Sequence, residues 1–167
     1  MVNSELEITL AKEIDLDRIL EIYGIAKAYM RKNGNPNQWN GGYPDRETLE
    51  MDIEKQRLYV CKKGGVIQGV FVLLMEKEET YDYVEGGQWL NEEPYGTIHR
   101  IASSGEVRGI FKACLDFARE RVANVRVDTH HDNHTMQYLA EKYGFRKCGI
   151  IYLKSGSPRL AYHYVGH

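Results

Sequence analysis

The stretch best suited to hold a charged ligand runs Ile98-His99-Arg100-Ile101-Ala102-Ser103-Ser104-Gly105-Glu106-Val107-Arg108-Gly109-Ile110-Phe111-Lys112-Ala113. Its first part mixes β-branched isoleucines with polar residues and reads as a strand. Ser-Ser-Gly-Glu turns the chain. A helix follows from Val107 to Arg121, because Val107, Ile110, Phe111, Cys114, Leu115 and Ala118 fall at three- and four-residue spacing on one apolar face. Arg108-Gly109 then lies in the first helical turn, where backbone N–H groups are free and the helix dipole is positive. Such a turn suits a phosphate. An ordinary strand–turn–helix crossover would read the same way.

Other reactive side chains stand near it in sequence. His99 is the only group of that strand that titrates near neutral pH. It is either a proton acceptor or a half-buried, hydrogen-bonded histidine. Tyr95, Glu92 and Glu93 stand at the strand entrance, where they could act directly or through a water. The run His130-His131-Asp132-Asn133-His134 invites a metal reading. Adjacent strand residues point to opposite faces, however, so His130 and His131 cannot share an ion unless the strand has ended, and no paired Cys or His motif completes a ligand set. No metal is expected, and His130, near a strand end, is read as facing a substrate.

Two loops carry aromatics. Asn33 to Pro44 is rich in Gly, Pro and Asn, yet contains Trp39 and Tyr43. These rings either pin the loop or wall a ligand pocket. Glu76 to Glu93 holds seven acidic residues against one lysine, a net charge of −6, with Tyr81, Tyr83 and Trp89 interleaved. It is either a solvated connection or an acidic, aromatic-lined vestibule for a cation.

The elements that must position these residues follow from pattern. Glu5–Ala11 alternates as a strand. Asp15 is an N-cap candidate for a helix through about Arg31. Asp45 starts a second helix, with Leu49 and Ile53 on its inner face. Arg57–Lys63 and Val66–Met75 are strands joined at Lys63-Gly64-Gly65. The second is nearly all apolar, so both of its faces should be buried. After the central strand and helix, Asn124–His131 is a strand. Asp132-Asn133 then caps a helix from about His134 to Lys142, and Gly144 ends it. Phe145–Leu153 and Leu160–Val165 close the order β-α-α-β-β-β-α-β-α-β-β. The strands either side of the Val107 helix should be parallel, and the hairpins make the rest antiparallel. The expected fold is one α/β domain spanning 1–167, with a mixed, mostly antiparallel sheet and a central parallel pair.

Composition narrows the function. The chain has 167 residues, 28% charged and 43% hydrophobic, enough for one sizeable core. A net charge of −2 gives no case for nucleic acid. No apolar run approaches a membrane span, and no signal-type leader is read, so a cytoplasmic protein is expected. Cys61, Cys114 and Cys148 form no C-x-x-C and read as small buried residues.

Residues 101–113 resemble the acyl-CoA signature of the GNAT superfamily of N-acetyltransferases, Arg/Gln-x-x-Gly-x-Gly/Ala after a strand. Arg108 opens the pattern, Ala113 closes it, and Phe111 replaces the middle glycine, so its ring must point away from the cofactor. Asn133 opening a helix that ends in Gly144-Phe145 is a second family feature, and the element order is a third. The resemblance implies transfer of an acetyl group from acetyl-CoA, the cosubstrate, to a primary amine, and the acidic, aromatic stretch Glu76 to Glu93 points to a small, cationic acceptor. The cofactor residues it implies are Ile101, Ala102, Ser103, Gly105, Glu106, Val107, Arg108, Gly109, Ile110, Phe111, Lys112, Ala113, Asn133 and Met136. The acceptor would meet Trp39, Tyr43, Trp89, Glu92, Glu93 and His130. A tyrosine acid commonly stands seven residues after the Asn, a place held here by Ala140. Tyr143, one turn on, is the substitute, or else packs on Phe145. The catalytic set is therefore Tyr143, His99 and Tyr95. A non-catalytic acyl-CoA-binding or sensor module is the alternative. No nucleic acid or membrane partner is implied, and the oligomer is left open between monomer and homodimer.

Overall fold

The computed structural model describes residues 5–166. Eleven strands and helices follow in the expected order: β1 Glu7–Leu10, α1 Leu16–Lys32, α2 Arg46–Glu54, β2 Leu58–Lys63, β3 Val66–Leu74, β4 Tyr95–Ser103, α3 Ile110–Arg119, β5 Asn124–Thr129, α4 His134–Lys142, β6 Arg146–Tyr152 and β7 Pro158–Val165. The seven strands form one sheet in the order β1-β2-β3-β4-β5-β7-β6. Every pairing is antiparallel except β4–β5, the parallel pair at the centre.

Two cores sandwich the sheet. One packs Ile110, Phe111, Cys114, Leu115 and Ala118 of α3 and Ala140 of α4 on Phe71, Ile98, Val125 and Val127. On the other face Ile19, Ile22 and Tyr23 of α1 and Leu49 of α2 cover Val60, Val70 and Val72. With helices on both faces, β3 is buried from Ile67 to Leu73, as its unbroken apolar run requires. The residues 76–93, irregular except for a 3-10 turn at Glu79–Tyr81, continue that second layer over the sheet's other half. Tyr81 and Trp89 pack there on Tyr95, Cys148, Ile151 and Ala161.

Three local expectations change. α3 begins at Ile110 rather than Val107, because Gly109 takes a left-handed φ of 85° and serves as N-cap. Arg108 therefore precedes the helix. Asp15 does not cap α1: a 3-10 turn leads into that helix, and its carboxylate accepts from Lys12 N at 2.9 Å instead. β5 ends at Thr129, so His130 and His131 lie beyond the strand and stack, with ring centroids 4.3 Å apart. The Asn133 cap forms as read, accepting from Met136 N, and Asp45, read as the start of the second helix, is the N-cap of α2, accepting from Thr48 N.

Candidate active site

β4 and β5 pair only at Tyr95–Asn124, Gly96–Val125 and Thr97–Arg126. Beyond that register the two strands part. β5 stays paired with β7 along its whole length, so its opposite edge is left open from Val127 on. β4 bulges at the same level: Val72 pairs with His99 and Val70 with Ala102, leaving Arg100 and Ile101 opposite Phe71. Arg100 has φ 47°, a left-handed value rare for a side-chain-bearing residue. The sheet thus carries an unpaired wedge at its centre.

A cradle for an anion closes one end of the wedge. Ser104 Oγ donates to Gln68 Oε1 at 2.6 Å and accepts from Glu106 N at 3.1 Å. Ser103 Oγ accepts from Gly105 N at 3.1 Å. The Gly105 and Glu106 amides are therefore spent inside the turn rather than offered to a ligand. The N–H groups from Val107 to Lys112 find no acceptor among the described residues, and the helical ladder starts with Ala113 N on Gly109 O. They sit at the positive end of α3, beside the exposed guanidinium of Arg108. Phe111 turns its ring into the core against Phe145 at 5.8 Å and Tyr143 at 6.0 Å, away from its free amide. Ile101 faces the α3 core, while Ala102 is buried under α1. Lys112 Nζ pairs with Asp116.

On the opposite face, over β4 and β5, the structure groups His99 with two residues that were not among the sequence candidates, Tyr81 and Asp128. His99 is half-buried beneath Tyr81, whose ring centroid lies 6.2 Å away. Tyr81 donates its hydroxyl to Asp128 Oδ2 at 2.6 Å. Burial pushes the His99 pKa below its ordinary value, and Arg100 pushes the same way, while the Asp128 and Glu78 carboxylates pull it back up. The imidazole is therefore neutral near pH 7, free to accept a proton beside a carboxylate that can hold the resulting charge. Burial and the Asp128 carboxylate hold the Tyr81 phenol well above its usual range, so it stays a donor. Asn124, Arg126 and Asp128 are the polar half of an alternating strand, which sequence reads as a solvent face; only the cover from residues 76–93 makes it a site.

The loop between α1 and α2 crosses the mouth of the wedge. Gln38 Oε1 accepts from Thr129 Oγ1 at 3.2 Å, His130 N at 3.4 Å and Asn133 Nδ2 at 2.9 Å. Tyr43 meets β4, its hydroxyl accepting from Arg100 Nη1 at 2.8 Å. Trp39 packs edge-on against Tyr23, centroids 5.5 Å apart, so it pins the loop. Met136 is partly buried against the α3 core.

The remaining candidates are dispersed. Trp89 is 6% exposed; it donates to Tyr81 O at 2.7 Å and carries the Arg126 guanidinium on its face at 4.1 Å. Its ring is used up by packing and does not wall a vestibule. Tyr95 lies under the same guanidinium at 3.9 Å, and its hydroxyl accepts from Glu78 N at 2.8 Å, so it anchors the covering loop. Glu92 and Glu93 are exposed just ahead of the N-terminal end of β4 and do not join His99. His130 is buried; its Nδ1 accepts from Asp132 N at 3.0 Å, and burial with nearby Arg159 lowers its pKa. The strand has ended at Thr129, which is the condition under which the opposite-faces argument lapses, and ligand atoms of His130, His131 and Asp132 gather within 4.8 Å. Tyr143 is the C-cap of α4, against the first turn of α3. Tyr143→Phe deletes only its hydroxyl. Because a thiolate leaves tolerably without an acid, kcat is expected to fall about tenfold or less with the donor's KM unchanged. An unchanged kcat would assign Tyr143 to packing.

An open wedge between parallel strands, free amides at one end and a half-buried histidine on one face are the features to be matched in known folds. A GNAT-family acetyltransferase from Streptococcus agalactiae superposes with a TM-score of 0.90 at 31% identity, over 100% of this chain and 99% of that one. The chain belongs to the GNAT family of acetyltransferases. A Staphylococcus aureus protein assigned as an acetyltransferase matches with a TM-score of 0.69 at 30% identity, over 95% and 97% of the two chains. A GNAT-family acetyltransferase from Listeria monocytogenes shares the fold, with a TM-score of 0.71 at 20% identity over 99% and 98%. No protein-family model matches the sequence, and no curated protein does. Among the described residues no helix is long and apolar enough to cross a membrane.

Proposed function

We propose that the protein transfers an acetyl group from acetyl-CoA to a primary amine on a small, cationic acceptor in the cytoplasm. The observation that carries this is the unpaired wedge between β4 and β5, with free amides from Val107 to Lys112 at one end and His99 half-buried on one face. A diphosphate fits those amides and Arg108. The amide-bearing arm of CoA fits two open strand edges as an added strand would. When bound, acetyl-CoA supplies an acetyl group on a thiol ester, whose thiol has an ordinary pKa of about 8.5 and so leaves readily. The chain's own residues do the rest. Asp128 and Glu78 draw the ammonium of the acceptor toward His99. His99 takes the proton that the amine must lose, and Asp128 stabilises the imidazolium. The bulged β4 backbone offers main-chain N–H groups to the acetyl oxygen.

Release of free thiol from acetyl-CoA, followed across polyamines, aminoglycosides, amino acids and peptides, tests the reading. Turnover is expected with a small cationic amine. Its kcat/KM should fall as ionic strength rises, and Glu78→Gln should flatten that slope more than neutralising Glu92 and Glu93. A preferred neutral or anionic acceptor without salt dependence would remove the cationic assignment. CoA binding with no thiol release to any acceptor would turn the reading to a non-catalytic acyl-CoA sensor.

A further inference from the structure

Asp52 is fully buried in α2, yet it is a carboxylate. It accepts from Arg57 Nε at 2.8 Å, from Arg100 Nε at 3.1 Å, and from Arg100 Nη2 at 2.9 and 2.7 Å. A buried ion cluster of this kind is poor value as a stabiliser, since apolar residues of the same volume usually do as well. Its placement suggests another use. Arg100 is the residue at the β4 bulge whose backbone is left-handed, a conformation that survives only where its surroundings over-determine it. Three groups do so. Asp52 holds the guanidinium as a fork, Tyr43 holds Nη1, and the buried Tyr23 hydroxyl donates to the Arg100 carbonyl at 2.6 Å. That carbonyl is thereby committed to α1.

We propose that Asp52 is a positioning residue for acetyl transfer: through Arg100, and together with Tyr23, it fixes the β4 bulge so that a main-chain N–H of the His99–Ile101 segment points at the acetyl oxygen. The inference rests on the acetyl-transfer reading above. Asp52 itself does not touch the reacting atoms. Without its charge the Arg100 side chain is released, the left-handed residue relaxes, and the N–H swings off the oxygen. The wedge edges and the Val107–Lys112 amides remain, so CoA still binds.

The test is Asp52→Asn, with Tyr23→Phe as a milder variant that keeps the core filled. Asp52→Asn should lower kcat by about 10²-fold, and Tyr23→Phe by several-fold, with the CoA Kd and the acetyl-CoA KM within about twofold of the wild type. Isotope-edited infrared spectra of bound acetyl-CoA carrying a ¹³C carbonyl give a readout that a purely structural role would not move. The carbonyl band should lie at lower frequency in the wild type, where the N–H polarises it, and return toward its solution value in both variants. Unchanged kcat and an unchanged band in a folded, CoA-binding Asp52→Asn protein would overturn the proposal. Should Asp52→Asn not fold, the same result in Tyr23→Phe would overturn it alone. A wild type that fails to bind CoA would bring down the acetyl-transfer reading and this inference with it.

Discussion

His99→Gln is expected to lower kcat by about 10²- to 10³-fold with little change in the acetyl-CoA KM. Glutamine keeps most of the volume and can still hydrogen-bond, but it cannot take a proton at neutral pH. The half-buried ring sits between Tyr81 and the opened edge of β4, so the loss would fall on proton transfer rather than on binding. The pH profile supplies the sign. Burial and Arg100 hold the His99 pKa below 6.5, so the base is deprotonated, and active, above that value and is lost as pH falls through it. The acid limb of kcat/KM should therefore lie below pH 6.5. The Asp128 carboxylate pulls the same pKa upward. Asp128→Asn should move the acid limb to still lower pH while also lowering kcat, because the imidazolium loses its partner. Measuring kcat/KM from pH 4.5 to 9 in both variants checks this. An acid limb that survives unchanged in His99→Gln would assign the base elsewhere.

What the sequence disclosed was local in origin. The start of α2 at Asp45, the Asn133 cap, the Gly64-Gly65 hairpin and the apolar face of α3 depend on neighbours a few residues apart, and each formed as read. The central parallel pair also followed, since a strand–helix–strand unit closes in only one sense. The start of α3 shifted because Gly109 can adopt a left-handed backbone that ends the turn three residues later, and helical spacing alone cannot register that choice. The partners gathered near His99 and Arg100 were hidden for a different reason. Tyr81 and Asp128 meet across 47 positions of sequence, and Asp52 meets Arg100 across 48. Trp89, in an acidic and irregular stretch, reads as an acceptor contact; Arg126, far along the chain, covers it. Composition describes a segment's average environment, whereas a site is made where two segments with opposite averages are pressed together.

The largest expected effect on binding comes from the turn ahead of α3. Gly109 has φ 85°, and a Cβ added there would meet nothing within 4 Å. Gly109→Val therefore adds no clash; its cost is the backbone alone, about 1–2 kcal/mol for a left-handed residue and more when β-branched. If the turn relaxes to escape that cost, the amides from Val107 to Lys112 lose their common focus. A loss of 1.4 kcal/mol is a tenfold change in Kd, so CoA affinity should fall about tenfold or more. Gly64 separates strain from function. It has φ 58°, is equally open, and lies in the β2–β3 hairpin, away from the cradle. Gly64→Val should lower Tm comparably and leave CoA affinity alone. Arg108→Glu probes the charge instead of the shape. The side chain is exposed and has no ion-pair partner among the described residues, so reversal exchanges attraction for repulsion without breaking an internal contact. At low salt the Kd should rise about 10- to 100-fold, and the gap between variant and wild type should narrow as salt is added. Calorimetry of CoA binding to the three variants, beside their melting curves, decides the matter. Equal Kd values for Gly109→Val and Gly64→Val would mean that the amides ahead of α3 do not hold the diphosphate.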